Sequence, residues 1–134
     1  MALRPAIIPG LVYENAPAGI AFLCDAFGFE RHVVIPGEQP HEIAHAQLVL
    51  NGCMVMINSP HADETASPPS GRAKLWIYVV IADPDAHYAA SRAAGASIIA
   101  PPHDNDYGGR GYETHDSEGN IWSFGSYDPW AEPA

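Results

Sequence analysis

The segment DSEGNIWSFGSY, Asp116 to Tyr127, has a counterpart within its own chain. Moved back by 67 residues, EGNIWSFGS (Glu118 to Ser126) lies over NGCMVMINS (Asn51 to Ser59), and Gly119 falls on Gly52. The same shift lays AAGAS (Ala93 to Ser97) over AFGFE (Ala26 to Glu30), with Gly95 on Gly28. Sixty-seven is half of the 134 residues, so the chain reads as one module written twice. Few residues are identical between the halves. What repeats is the order of punctuation.

In the first half AIIPGLVY reads as a strand and NAPAGIAFLCDAF as a helix. Asn15 is placed to cap that helix, Pro17 suits its first turn, and Gly28 stands where a left-handed stop is wanted. FERHVVI, EIAHAQLVL and CMVMINS follow as strands, the last two joined by Asn51-Gly52, a strong hairpin signal. The second half matches: AKLWIYVVIA as strand, DPDAHYAASRAAG as helix with Asp83 as cap and Pro84 at its first position, then SIIA, GYETHD and NIWSFGS. Asp116-Ser117-Glu118-Gly119 makes the last turn. Each half is therefore β-α-β-β-β. The expected class is α+β, a single domain of two tandem βαβββ modules whose curved sheets surround a concave cavity. Module one is expected over 5–59, a Pro- and Ser-rich linker over 60–72, module two over 73–128 and a tail over 129–134.

Composition narrows the function. Six basic against sixteen acidic residues give a formal charge of −10, and no Lys/Arg cluster is available to displace counterions from a nucleic acid. A ligand steered by that field is neutral or cationic. No apolar run reaches the roughly 20 residues of a membrane span. MALRPAIIPG lacks the apolar core of a signal peptide, so a cytoplasmic protein that starts here is expected. Cys24 and Cys53, without CxxC spacing, read as reduced thiols packed as small hydrophobes. GGRG is a poor phosphate loop, having no Lys and leading into a strand.

The duplicated βαβββ order, with DPD opening the second helix and D-x-E-G-N-x-W-x-F-G-x-Y closing the chain, resembles the vicinal oxygen chelate superfamily of glyoxalases, bleomycin-resistance proteins and dioxygenases. The closing motif resembles the bleomycin-resistance-like branch. Enzymes of that superfamily hold a divalent metal with His, Gln or Glu from the first and last strands of each module. The matching positions here are Ile8, Met56, Trp76 (or Leu75) and Ser123. Apolar side chains and a hydroxyl do not replace imidazoles and carboxylates as ligands for Zn²⁺, Ni²⁺, Mn²⁺ or Fe²⁺. No metal and no other cofactor is therefore expected.

Alternation along the strands places Trp76, Tyr78, Met54, Met56, Ile121 and Ser123 on the cavity face, with Trp122 and Phe124 under the helix. Such a wall is apolar and polarizable, suited to flat or irregular ligands. Under the 67-residue shift His45 pairs with Tyr112 and Gln47 with Thr114, putting polar groups at matched places. His45 is a candidate ligand contact, the alternative being a rim or helix-side hydrogen bond. His32, His41, His61 and His103 read as solvated, and His87 as facing water. Arg110 reads as paired with Asp104, Asp106 or Glu113, or else as a clamp on the ligand. Tyr107 reads as a lid or a surface residue.

The expectation is a metal-free small-molecule binding protein that sequesters a neutral or cationic, partly aromatic ligand, as in antibiotic resistance, with homodimers implied by the resemblance. The rivals are a glyoxalase-type lyase, isomerase or dioxygenase and a fold member used only for protein contact. The enzyme would use displaced ligands such as His45, His115 and Glu113, or metal-free acid–base catalysis.

Overall fold

The structure, a computed structural model, describes Pro5, residues 7–60 and residues 75–131. The expected linker from residue 61 onward, with His61, lies outside them. Two compact units divide the chain, Met1–Ala73 and Lys74–Ala134, and each is described by itself.

Unit one contains β1 (Gly10–Val12), α1 (Ala16–Phe27), β2 (Glu30–Pro36), β3 (Ile43–Leu50) and β4 (Cys53–Asn58). Its sheet runs in the order β1-β4-β3-β2, with β1 parallel to β4 and the other pairs antiparallel. Unit two repeats the plan with β5 (Trp76–Val80), α2 (Pro84–Ala93), β6 (Ser97–Asp104), β7 (Arg110–His115) and β8 (Ile121–Gly125), ordered β5-β8-β7-β6. The expected α+β duplication of βαβββ modules is what the chain forms.

Local chemistry sets the element ends. Asn15 Oδ1 accepts from Ala18 N at 3.2 Å and Asp83 Oδ1 from Ala86 N at 3.1 Å, so both helices start at the foreseen caps. α1 stops at Gly28, whose φ of 89° suits a residue without Cβ. β1 is shorter than the apolar run AIIPGLVY suggests. β6 is longer than SIIA, continuing through Pro101 and Pro102. As an edge strand with register shifts on both sides of Ala100, it absorbs prolines that a central strand would reject.

Ile20, Leu23 and Phe27 of α1 are buried, as are Leu11, Leu48, Val55 and Ile57 of the sheet. Tyr13, also buried, lies flat against the helix at Gly19, where a Cβ would fall 1.9 Å from its ring. Gly19→Ala is therefore expected to destabilise. Overpacking costs about 1–3 kcal/mol, more than the roughly 1 kcal/mol by which Ala improves a helix, and urea unfolding of the variant measures the difference.

Unit two is held by a polar centre. The Asp116 carboxylate, 6% exposed, accepts four hydrogen bonds. Oδ1 takes Glu118 N at 2.9 Å and Asn120 N at 3.0 Å, while Oδ2 takes Asn120 Nδ2 at 3.0 Å and Trp122 Nε1 at 2.9 Å. Asn120 Oδ1 in turn accepts from Leu75 N at 3.0 Å, tying the start of β5 to this hairpin. The closing motif D-x-E-G-N-x-W is thus one hydrogen-bonded unit. Asp116→Ala leaves a buried indole N–H and two loop amides without their acceptor, so a loss of about 3 kcal/mol is expected in the same urea assay.

One register detail corrects the sequence alignment. Asn51-Gly52, with φ of 52° and 78°, turns the first hairpin in two residues between Leu50 and Cys53. The second hairpin closes on Asp116 N to Asn120 O at 2.9 Å and spends three residues, Ser117 to Gly119. The extra residue changes the offset on β7. Gln47 pairs with Met56 while Glu113 pairs with Ser123, so Gln47 corresponds to Glu113 and His45 to Gly111. Tyr112 and Thr114, foreseen as counterparts of His45 and Gln47, pair with Phe124 and Trp122 and are buried with them. A one-residue slip exchanges the two faces of a strand.

Candidate functional site

On β8, Trp122 and Phe124 are fully buried, and the His87 ring of α2 lies 4.2 Å from that of Phe124. Ser123 accordingly points to the other face of the sheet, as expected. His87 does not face water. Its Nδ1 is 2.6 Å from Tyr112 Oη, which donates to Ser91 Oγ at 2.9 Å, and burial pushes the Tyr112 phenol up to about 12. The apolar ring of Phe124 and the phenol together fill a helix–sheet layer that helical spacing alone gave to solvent.

The face away from α2 carries a pocket of about 130 Å³, and the described residues that line it belong to unit two. Trp76 and Tyr78 on β5, Tyr107 in the β6–β7 turn and His103 on β6 form its walls. Glu113 on β7 and Ser123 on β8 supply its polar groups. Gly111 and Gly125 are cross-strand partners that line it as well. Neither has positive φ; they are there for space. A Cβ on Gly125 would meet Tyr78 Oη at 2.8 Å, and one on Gly111 the Phe124 carbonyl at 2.8 Å.

Three hydrogen bonds organise the polar side. Trp76 Nε1 donates to Ser123 Oγ at 2.9 Å, and Ser123 donates to Glu113 Oε2 at 3.3 Å. Tyr78 donates to the Tyr127 carbonyl at 2.6 Å. Burial, and then the neighbouring Tyr107, hold the Tyr78 phenol above its ordinary value, so it keeps the proton it donates. Tyr107 packs edge-on to Tyr127 with ring centroids 5.0 Å apart. His103 Nδ1 sits 2.8 Å from the Pro101 carbonyl, which can only accept, so Nδ1 carries hydrogen and Nε2 is left as the acceptor of the neutral ring.

Of the sequence candidates, Trp76, Tyr78, Tyr107 and Ser123 come together here. Met54, Met56 and His45 belong to unit one. Met56 shares the face of its register partner Gln47, whose Nε2 is 3.1 Å from His45 Nε2; Met54 lies two residues along the same strand. Arg110 is engaged elsewhere. Its guanidinium forks onto Asp85 at 2.9 and 3.1 Å and reaches Asp104 at 3.3 Å. That hydrogen-bonded guanidinium holds the Asp85 carboxyl below the usual carboxylate range. Asp104 was foreseen as a partner; Asp85, on the first turn of α2, was not. Cys53 is exposed rather than packed, and Cys24 is half-buried. His103, read as solvated, lines the pocket, and so does Glu113, named above only as a displaced ligand of the rival enzyme or a partner of Arg110. Counting the hairpin residues between Asp116 and Asn120 would have placed Glu113 beside Ser123.

The duplicated βαβββ order is the architecture that the sequence resemblance implied. Residues 8–124 match the model of the Glyoxalase/Bleomycin resistance protein/Dioxygenase superfamily, and the chain belongs to that superfamily. An uncharacterized protein of Mycobacterium bovis is 30% identical over 128 residues, covering 92% of this chain and 84% of its own. The crystal structure of TioX from Micromonospora sp. ML1 superposes with a TM-score of 0.74 at 29% identity, covering 96% of this chain and 100% of that one. A lactoylglutathione lyase from Agrobacterium tumefaciens shares the fold, with a TM-score of 0.68 at 19% identity over 96% of this chain and 98% of the other.

The metal centre implied for enzymes of this fold does not fit the side chains present. Trp76 and Ser123, at two of the four ligand positions, are bonded to each other, while Met56 and Ile8 offer no hard donor. Among the described residues no three His, Cys, Asp or Glu side chains gather into a metal-binding group. Among them, too, no helix is long and apolar enough to cross a membrane.

The glycine floor yields a test. Gly125→Ala is expected to push Tyr78 off the Tyr127 carbonyl and to cost about 1–2 kcal/mol in urea unfolding, with a changed near-ultraviolet tyrosine signal reporting the displaced ring.

Proposed function

We propose that the chain binds a small, partly aromatic, neutral or cationic molecule in the unit-two pocket and sequesters it, without a metal centre of the family type. One observation carries this reading: the Trp76–Ser123 hydrogen bond links two ligand positions and turns them into part of an aromatic pocket wall. Trp76 is 69% exposed, so its ring is presented to a ligand rather than spent on the core. Flat ligands gain both area and ring–ring contact against Trp76, Tyr78 and Tyr107. Homodimers, with antibiotics as one ligand class, belong to the same proposal.

A second reading has one observation in its favour. Glu113 is a carboxylate inside the pocket beside a hydroxyl, and could act as a general base in a metal-free reaction.

Two measurements test the binding reading. Untagged protein incubated with Zn²⁺, Ni²⁺, Mn²⁺ or Fe²⁺ and dialysed should retain no stoichiometric metal by mass spectrometry; retained metal would sink it. Trp76→Ala should weaken binding of a flat aromatic probe by about 1–3 kcal/mol in equilibrium titration, with little effect on stability because the ring is exposed.

A further inference from the structure

We infer that Glu113 is the counter-ion of a cationic nitrogen, so that the unit-two pocket selects organic cations over neutral molecules of the same shape. The inference rests on the binding reading and assigns its charge preference to one side chain. Among the described residues that line the pocket Glu113 is the only carboxylate, and none of them is Lys or Arg. The one described contact of its carboxylate is Ser123 Oγ on Oε2 at 3.3 Å. Arg110, on the same strand, is forked onto Asp85 and also reaches Asp104, and Glu113 has no ion-pair partner among the described residues.

The surroundings favour a positive guest. Trp76, Tyr78 and Tyr107 line the same small space, and aromatic faces attract cations through their quadrupoles. The neutral donor relay from Trp76 Nε1 through Ser123 Oγ ends on Oε2. It orients the carboxylate while leaving the full negative charge. An anionic ligand would meet that charge with no compensating cation in the lining, and a neutral ligand would forgo it. A net charge of −10 draws cations toward the molecule, but Glu113 is what would discriminate between isosteres inside the pocket.

The probes are N-methylquinolinium and quinoline at pH 8, where the first is a cation and the second is neutral, titrated against full-length protein by tryptophan fluorescence and calorimetry. The cation should bind at least about tenfold more tightly. Glu113→Gln, which keeps an oxygen for Ser123, should erase that difference by weakening the cation about tenfold while leaving quinoline within about twofold. Glu30→Gln removes the same charge from an exposed position in unit one and should leave the preference intact. Equal binding of both probes to wild type, or an unchanged preference in Glu113→Gln, overturns the charge assignment and leaves the binding reading standing. Binding of neither probe overturns both. Should Glu113→Gln not fold, Glu113→Asp keeps the charge one methylene further back, and a preference it does not reduce overturns the assignment as well.

Discussion

A single buried carboxylate organises unit two. Asp116 accepts from two backbone amides, one side-chain amide and one indole, and these four donors come from residues within six positions of it. The loop closes around a carboxylate whose buried oxygens are met by hydrogen-bond donors at 6% exposure. Two consequences reach beyond the loop. Trp122 is fixed in rotation, and with it the parity of β8. Asn120, held by Asp116, takes Leu75 N, and the neighbouring Ile121 N donates to Leu75 O at 2.8 Å, so β5 enters the sheet in one register. The positions of Trp76 and Tyr78 opposite Ile121 and Ser123 follow from that register.

Much of this was legible in the sequence because turns and caps are local. Asn15, Asp83, Gly28 and Asn51-Gly52 act through their own backbone, and their roles follow from residue type and spacing. The alternation of Trp122, Ser123 and Phe124 was equally readable, since only one assignment buries both large rings. What failed was an inference across a turn. A two-residue hairpin and a three-residue hairpin differ by one residue, and that residue moved Glu113 to the pocket face and Tyr112 to the helix face. The repeat anchored on glycines could not register it, because Gly52 and Gly119 align whichever strand precedes them.

The unforeseen polar contacts share a different cause. Arg110 meets Asp104 as expected, yet it and His87 each also find a partner far along the chain. His87 meets Tyr112 across the helix–sheet layer, 25 residues away, and Arg110 meets Asp85 across the same separation. The two contacts run side by side: both join α2 to β7, one inside the layer and one at its solvent edge. Arg110 thereby pins the N-terminal turn of α2, where an acidic residue also suits the helix dipole. Arg110 is thus committed to holding the helix, and among the described residues Glu113 has no cationic partner.

Pocket shape and pocket chemistry are coupled through the same strands. Tyr78 passes over Gly125 closely enough that a Cβ there would strike its hydroxyl, and its hydroxyl is fixed by the Tyr127 carbonyl. The glycine is needed because the tyrosine is anchored. Two residues earlier on β5, Trp76 reaches forward to Ser123, whose hydroxyl accepts from the indole N–H at 2.9 Å. Converting Ser123 to His or Glu would remove the hydroxyl that donates to Glu113 and crowd a pocket of about 130 Å³. A hard donor at position 123 alone would still leave Trp76, Met56 and Ile8 at the other positions, and none of these is a hard donor.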